Sequence, residues 1–275
     1  MPKAPYLKGQ GKCIFCGAAG VTREHMWADW LKAYIPRTAN KHRVGMTLVY
    51  PDREEDVISN RTGDPHSRRI KCVCEPCNNG WMSRLQETTK SLLVPMLLGQ
   101  TTTVHREGQL KLAAWCAMMV MVAEHINAEM VAIPQSDRDH LRIAETAPAH
   151  WRIWISRHAR KRHPLFTHQV LPFVSEEEFE RLGVKATSTI SNTQTTTICL
   201  GQHLLIHVMS SEVAWSIVRR WQLSAPVRAN FEQIWPTKSP LVSWPPPNAL
   251  TDDGIDLVAN EFFKKALAVR ASRPQ

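Results

Sequence analysis

Long apolar periodicity begins at Ser83; the preceding stretch is rich in Cys, His, Arg and turn formers. Ser83 to Leu98 and Gln109 to Ala128 carry helical spacing, the first with Ser83 as N-cap, Gly99 as stop and Pro95 bending its last turn. The run LKLAAWCAMMVMVA, Leu110 to Ala123, is apolar all round and reads as a buried helix. It falls short of the ~18 apolar residues that a membrane span needs. WRIWISR from Trp151 alternates, and ATSTISNTQTTTICL followed by GQHLLIHVMSS predicts strands with turns at Asn192 and Gly201. Ser211 to Leu223 returns to helical spacing, and SWPPPN from Ser243 predicts a stiff connector. Thr251 is expected to cap a last helix through Asp252 and Asp253 to about Ala268, the carboxylates favouring its positive end.

Within the first 82 residues, Met26, Trp30 and Ala33 with Leu31 and Tyr34 give one helical pattern, ended by Pro36. Residues 37 to 66 predict a polar loop or ribbon. The pattern therefore divides the chain into a small domain, residues 1–82, held together by something other than an apolar core, and a larger mixed α+β domain, residues 83–275.

Composition narrows the setting. Hydrophobic residues make up 43% and charged residues 21%, as in an ordinary globular protein. MPKAPYLKGQGK lacks the apolar segment of a secretory signal, so a reducing cytoplasm is the expected location. There, seven cysteines favour metal binding or buried thiols over disulfides. The net charge of +9 fits a polyanionic partner. Arg23, Arg68, Arg69 and Lys71 stand near the cysteines, and Arg157, Arg160, Lys161 and Arg162 form a second group, a solvated loop or a phosphate-contacting patch.

Two knuckles, Cys13-Ile-Phe-Cys16-Gly17 and Cys74-Glu-Pro-Cys77, each offer two thiolates from one turn, and together they make a tetrahedral four-cysteine set. Structural zinc is the expected occupant; a rubredoxin-like iron site has the same ligands. Cys72 is expected to be a strand residue, and Cys116 and Cys199 core thiols. Between the knuckles lies Glu24-His25, and Asn78 follows the last cysteine directly. A carboxylate and an amide oxygen are hard ligands suited to Mg²⁺, while an imidazole can take a proton.

This order of knuckle, acidic-His dipeptide, second knuckle and following Asn resembles the zinc-containing HNH (His-Me finger, ββα-metal) endonucleases of phage and bacterial type. The resemblance covers residues 13 to about 85. It implies a ββα-metal domain, DNA as partner, Cys13, Cys16, Cys74 and Cys77 on structural Zn²⁺, and Glu24 and Asn78 on a catalytic Mg²⁺ or Mn²⁺. His25 is then the general base. Asn79 is a second possible ligand beside Asn78. The chain departs from the family at Ala28, where proline is common, and at Glu24, where Asp or His is commoner. The family's middle Asn, which orients the base, has Arg68 and Arg69 in its region, with Asn60 and His66 as the nearest substitutes. The alternative is a non-catalytic zinc-stapled module that binds nucleic acid or another partner.

Overall fold

A computed structural model describes residues 11–35, 42–49, 54–61, 69–127, 130–160, 166–171, 192–212 and 225–260. It is a mixed α+β structure with three sheets among the described residues. Strand β1 (Val21–His25) pairs antiparallel with β4 (Arg69–Cys74) as a two-stranded ribbon. Strands β2 (His42–Val49) and β3 (Glu54–Arg61) form a hairpin that leaves this ribbon, and β2 adds in parallel to β7 (Phe166–Leu171). The polar stretch expected as a loop or ribbon is thus partly an antiparallel hairpin, and it ends one edge of the large sheet.

That sheet has eight strands, running β10-β6-β9-β8-β7-β2-β3 with β12 also paired to β6. Its middle is the hairpin of β8 (Thr193–Leu200) and β9 (Leu204–Ser211), turned at Gly201 with φ +57°. β6 (Arg152–His158) lies beyond β9, flanked by β10 (Glu232–Trp235) and β12 (Ala249–Leu250). Every residue of β8 and β9 is buried, although β8 reads TQTTTICL. Its polar groups are paired laterally. Thr193 bonds Ser211 at 2.7 Å, Gln194 bonds Ser210 at 3.1 Å, and Thr197 bonds the His207 ring at 2.9 Å. Such pairing offsets the desolvation that unpaired hydroxyls would suffer.

Helices α1 (Glu75–Cys77) and α2 (Ser83–Leu97) are joined by a π-helical segment, Asn78–Met82, that kinks at Gly80. Ser83 is therefore no N-cap: the chain is already helical, and Cys74 in extended geometry precedes the first turn with Pro76 inside it. Gly99 does end α2, at φ +68°. Strand β5 (Thr102–His105) pairs with β11 (Leu241–Trp244), so Ser243 and Trp244 are strand residues and not part of a free connector. Helix α3 (Arg106–Ala123) is buried from Leu112 to its end. It packs on α2, on β9 and β10, and on β4, so one helix carries the core under both the ribbon and the sheet.

Two further expectations change. The periodicity around Met26 to Tyr34 yields a 3₁₀ turn, Asp29–Ala33, while Val21 to His25 is strand. Val21 and Thr22 are β-branched, and β4 supplies the backbone partner that decides in favour of extension. Ser211 belongs to β9 and not to a helix start, and residues 213–224 lie outside the described part. The last helix forms over 252–260, and the Ile255 amide bonds the Thr251 carbonyl. Among the described residues, no helix is long and apolar enough to cross a membrane.

Candidate metal centre and the Glu24–Asn78 pair

The first knuckle closes through backbone bonds. The Cys13 amide reaches the Ala18 carbonyl at 2.7 Å and the Gly17 amide reaches the Cys13 carbonyl at 2.9 Å. Gly17 sits at φ +72°, where a side chain would be strained, so the glycine after Cys16 is what lets the chain reverse there. The Ile14 amide then bonds the Cys72 carbonyl at 2.9 Å, hanging the knuckle on β4. The second knuckle is the end of β4 and the turn that follows it.

These constraints bring Cys13, Cys16, Cys74 and Cys77 together, their sulfurs all within 4.8 Å of one another. An all-sulfur set of this kind suits a structural metal such as zinc. Burial works against the Cys13 thiolate, but hydrogen bonds from the Cys74, Phe15 and Cys16 backbone outweigh it and bring the thiol down to about 7. Cys72 is outside the cluster; burial pushes its thiol up to about 12, where it stays neutral and inert. Cys116 and Cys199 are likewise buried thiols.

The larger part of the molecule clamps this lobe. From α4 (Gln135–Ala144), Gln135 donates to the Ile14 carbonyl at 3.1 Å and Arg142 to the Phe15 carbonyl at 3.0 Å. Phe15 meets Trp81 edge-on at 4.9 Å, so Trp81 is packing under the knuckle. Behind β4 lies a buried ion pair, Glu124 with Arg138. Glu124 also accepts from the amides of Ala132 at 2.9 Å and Ile133 at 3.2 Å. Arg138 donates to the His125 ring at 2.6 Å and to the Ile133 carbonyl at 3.0 Å.

Glu24 and Asn78 meet. The Glu24 side chain turns inward from β1, and the Asn78 side chain stands beside its carboxylate. Burial pushes the Glu24 carboxyl up to about 7, with the Asn78 amide pulling the other way. Asn79 instead faces Glu75 across one helical turn, at 3.5 Å, which leaves Asn78 as the amide beside Glu24. The π-helical segment begins at Asn78, and wide turns of this kind recur at functional sites.

On β1 alternation turns His25 away from Glu24, onto the ribbon's exposed face. There the register sets Arg69 opposite His25 and Lys71 opposite Arg23, so three cationic residues share the ribbon with the imidazole. Arg69 Nε donates to His25 Nε2 at 3.0 Å, and an Asp29 carboxylate oxygen lies 3.7 Å from the same nitrogen. Spacing alone does not reveal this pairing, because it depends on the strand register across 44 residues. Asn60 stands in β3, the edge strand of the large sheet. Arg68, His66, Lys161 and Arg162 lie outside the described residues. Arg160 is engaged by Asp252 at 3.2 Å and Asp256 at 3.3 Å, so it pins the 252–260 helix to the end of β6. No family model, no curated protein and no solved structure matches this chain.

Proposed function

We propose that this protein is a metal-dependent endonuclease that hydrolyses DNA phosphodiester bonds, with a zinc-stapled lobe presenting the site. The observation that carries the reading is the meeting of Glu24 and Asn78, from opposite ends of the ribbon's loop, beside the second cysteine knuckle. A purely structural clip has no need of a buried carboxylate and an amide at that place. The order of β1, β4 and the helical run after Cys74 is in keeping with a ββα-metal arrangement.

Glu24 and Asn78 offer hard oxygens that fit Mg²⁺ or Mn²⁺. A buried carboxylate whose charge is disfavoured gains from a cation, which is the electrostatic sense in which the pair fits one. When bound, that cation supplies charge stabilisation at the phosphate and the leaving oxygen. The chain's own groups do the rest. Arg23, Arg69 and Lys71 hold the phosphate backbone on the exposed face of the ribbon. His25 takes a proton from water; the resulting hydroxide oxygen bonds phosphorus, the bond to the departing sugar oxygen breaks, and that oxygen is protonated by solvent. Because alternation turns the two side chains to opposite faces, the reading requires one phosphate at the end of β1 to reach His25 on the exposed face and, through the cation, the Glu24–Asn78 pair.

Supercoiled plasmid incubated with Mg²⁺ or Mn²⁺ tests the reading. Wild-type protein is expected to nick it, and His25→Ala to lower the rate by about 10² or more. Equal cutting by the variant, or none by wild type with any divalent metal, removes the catalytic assignment. One observation favours the rival, a binding module without catalysis: the Nε2 lone pair of His25 is taken up by Arg69.

A further inference from the structure

A general base must present a lone pair, and the arrangement around His25 withholds it. Arg69 Nε lies 3.0 Å from His25 Nε2. A guanidinium has donors only and stays protonated in proteins. In this bond Nε2 is therefore the acceptor, and the neutral ring carries its proton on Nδ1. Neither nitrogen is then ready to receive a proton from water: one already holds a hydrogen and the other's lone pair is committed.

The neighbourhood supplies a way to release it. Arg69 is exposed, and it shares the ribbon face with Arg23 and Lys71. Its bond to a neutral imidazole is a poor use of a guanidinium, which binds phosphate through charge-assisted and often paired hydrogen bonds of about twice the strength of neutral ones. We infer that Arg69 is a substrate-released latch on His25. In the free protein it caps Nε2; a DNA phosphate arriving on the cationic face draws the guanidinium away and frees that lone pair. Asp29, 3.7 Å from Nε2, then stands where it favours the ring once a proton has arrived. Asp29 is itself held by Lys32, so it does not follow the arginine. In the resting state the ring is held by a residue of the second knuckle's own strand, directly opposite His25. Arg69 is accordingly a positioning residue, acting on the reaction through His25. Its consequence is that water is not activated until phosphate is in place.

This inference rests on the nuclease reading for its purpose, but its first test does not need activity. Nitrogen-15 spectra of the histidine rings in the full chain, zinc-loaded and without Mg²⁺, report which nitrogen carries the proton. The expected result is a His25 ring protonated at Nδ1, with a hydrogen-bonded Nε2. Adding a short DNA duplex should move the Nε2 resonance towards that of an uncapped nitrogen. Arg69→Ala should give that resonance without DNA, while Arg69→Lys, which restores one donor, should move it part of the way back. Diethyl pyrocarbonate should acylate His25 several-fold faster in Arg69→Ala than in wild type. A His25 ring protonated at Nε2 in the free protein overturns the latch, as does a resonance indifferent to Arg69→Ala or to DNA. Those results leave the plasmid assay with His25→Ala untouched, so the two claims fail separately.

Discussion

His25, Glu24 and His168 show how differently one chain can treat its ionisable side chains. His25 is held at the surface by an arginine, whereas Glu24 is buried against an amide. Glu24→Gln keeps the shape and the Asn78 contact but removes the charge. It is expected to weaken Mn²⁺ binding at least tenfold, read by calorimetry on zinc-loaded protein, with four-cysteine zinc content unchanged. His168 is wholly internal, bonded to Thr196 at 2.7 Å and to the Met130 carbonyl at 3.1 Å. Burial lowers it to about 4 from an ordinary 6.5, the Met130 bond opposing that shift. The sign follows: the unfolded chain takes up a proton that the folded chain refuses. The stability this neutral ring contributes is full above pH 6.5 and lost as pH falls towards 4. His168→Gln should lower stability at pH 7 but flatten the fall between pH 6.5 and 4.5 by up to ~1.4 kcal/mol per pH unit in urea titrations.

At the level of elements, the turns carry the strongest local demands. Gly99 ends α2 at φ +68°, and a Cβ there would come within 2.7 Å of the His203 ring. Gly99→Ala is therefore expected to cost about 1–3 kcal/mol, read as a lower urea midpoint with an unchanged slope. Gly99, Gly201 and the two knuckles were legible in the sequence because turn chemistry is local. So were the strands at Trp151 and in the threonine-rich region, through alternation and β-branching. Three features were not. The helical spacing at Met26 to Tyr34 yields only a 3₁₀ turn, and the strand before it, Val21–His25, depends on β4, a partner 44 residues or more away. Ser83 resembles a cap, but the helix is already nucleated at the second knuckle. The strands over residues 42–49 and 54–61 are mostly polar apart from the alternation of Val44, Met46 and Leu48, and their place beside β7 is a matter of backbone register that no local pattern announces. Likewise Glu24, Asn78 and the cysteines could be named from spacing, while Arg69 as the partner of His25 could not.

Across the whole molecule, α3 ties the ribbon to the eight-stranded sheet, and the Glu124–Arg138 pair ties the turn after α3 to α4. Both side chains of that pair are almost wholly buried, at 0% and 4% exposure. Glu124→Gln leaves the guanidinium without its counter-charge and should cost ~3–5 kcal/mol of stability, measured by denaturant unfolding. The site thus depends on two supports: a thiolate clip that fixes the second knuckle, and a core that fixes β4 from behind. On the function proposed above, these supports serve two separate ions, one on sulfur and one on Glu24 and Asn78. Anomalous diffraction from crystals of the zinc-containing protein soaked in Mn²⁺ tests it most directly. The prediction is a zinc peak among Cys13, Cys16, Cys74 and Cys77, and a distinct manganese peak within about 2.5 Å of side-chain oxygens of both Glu24 and Asn78. A well-ordered lobe with zinc in the clip and no manganese beside Glu24 and Asn78 would contradict it.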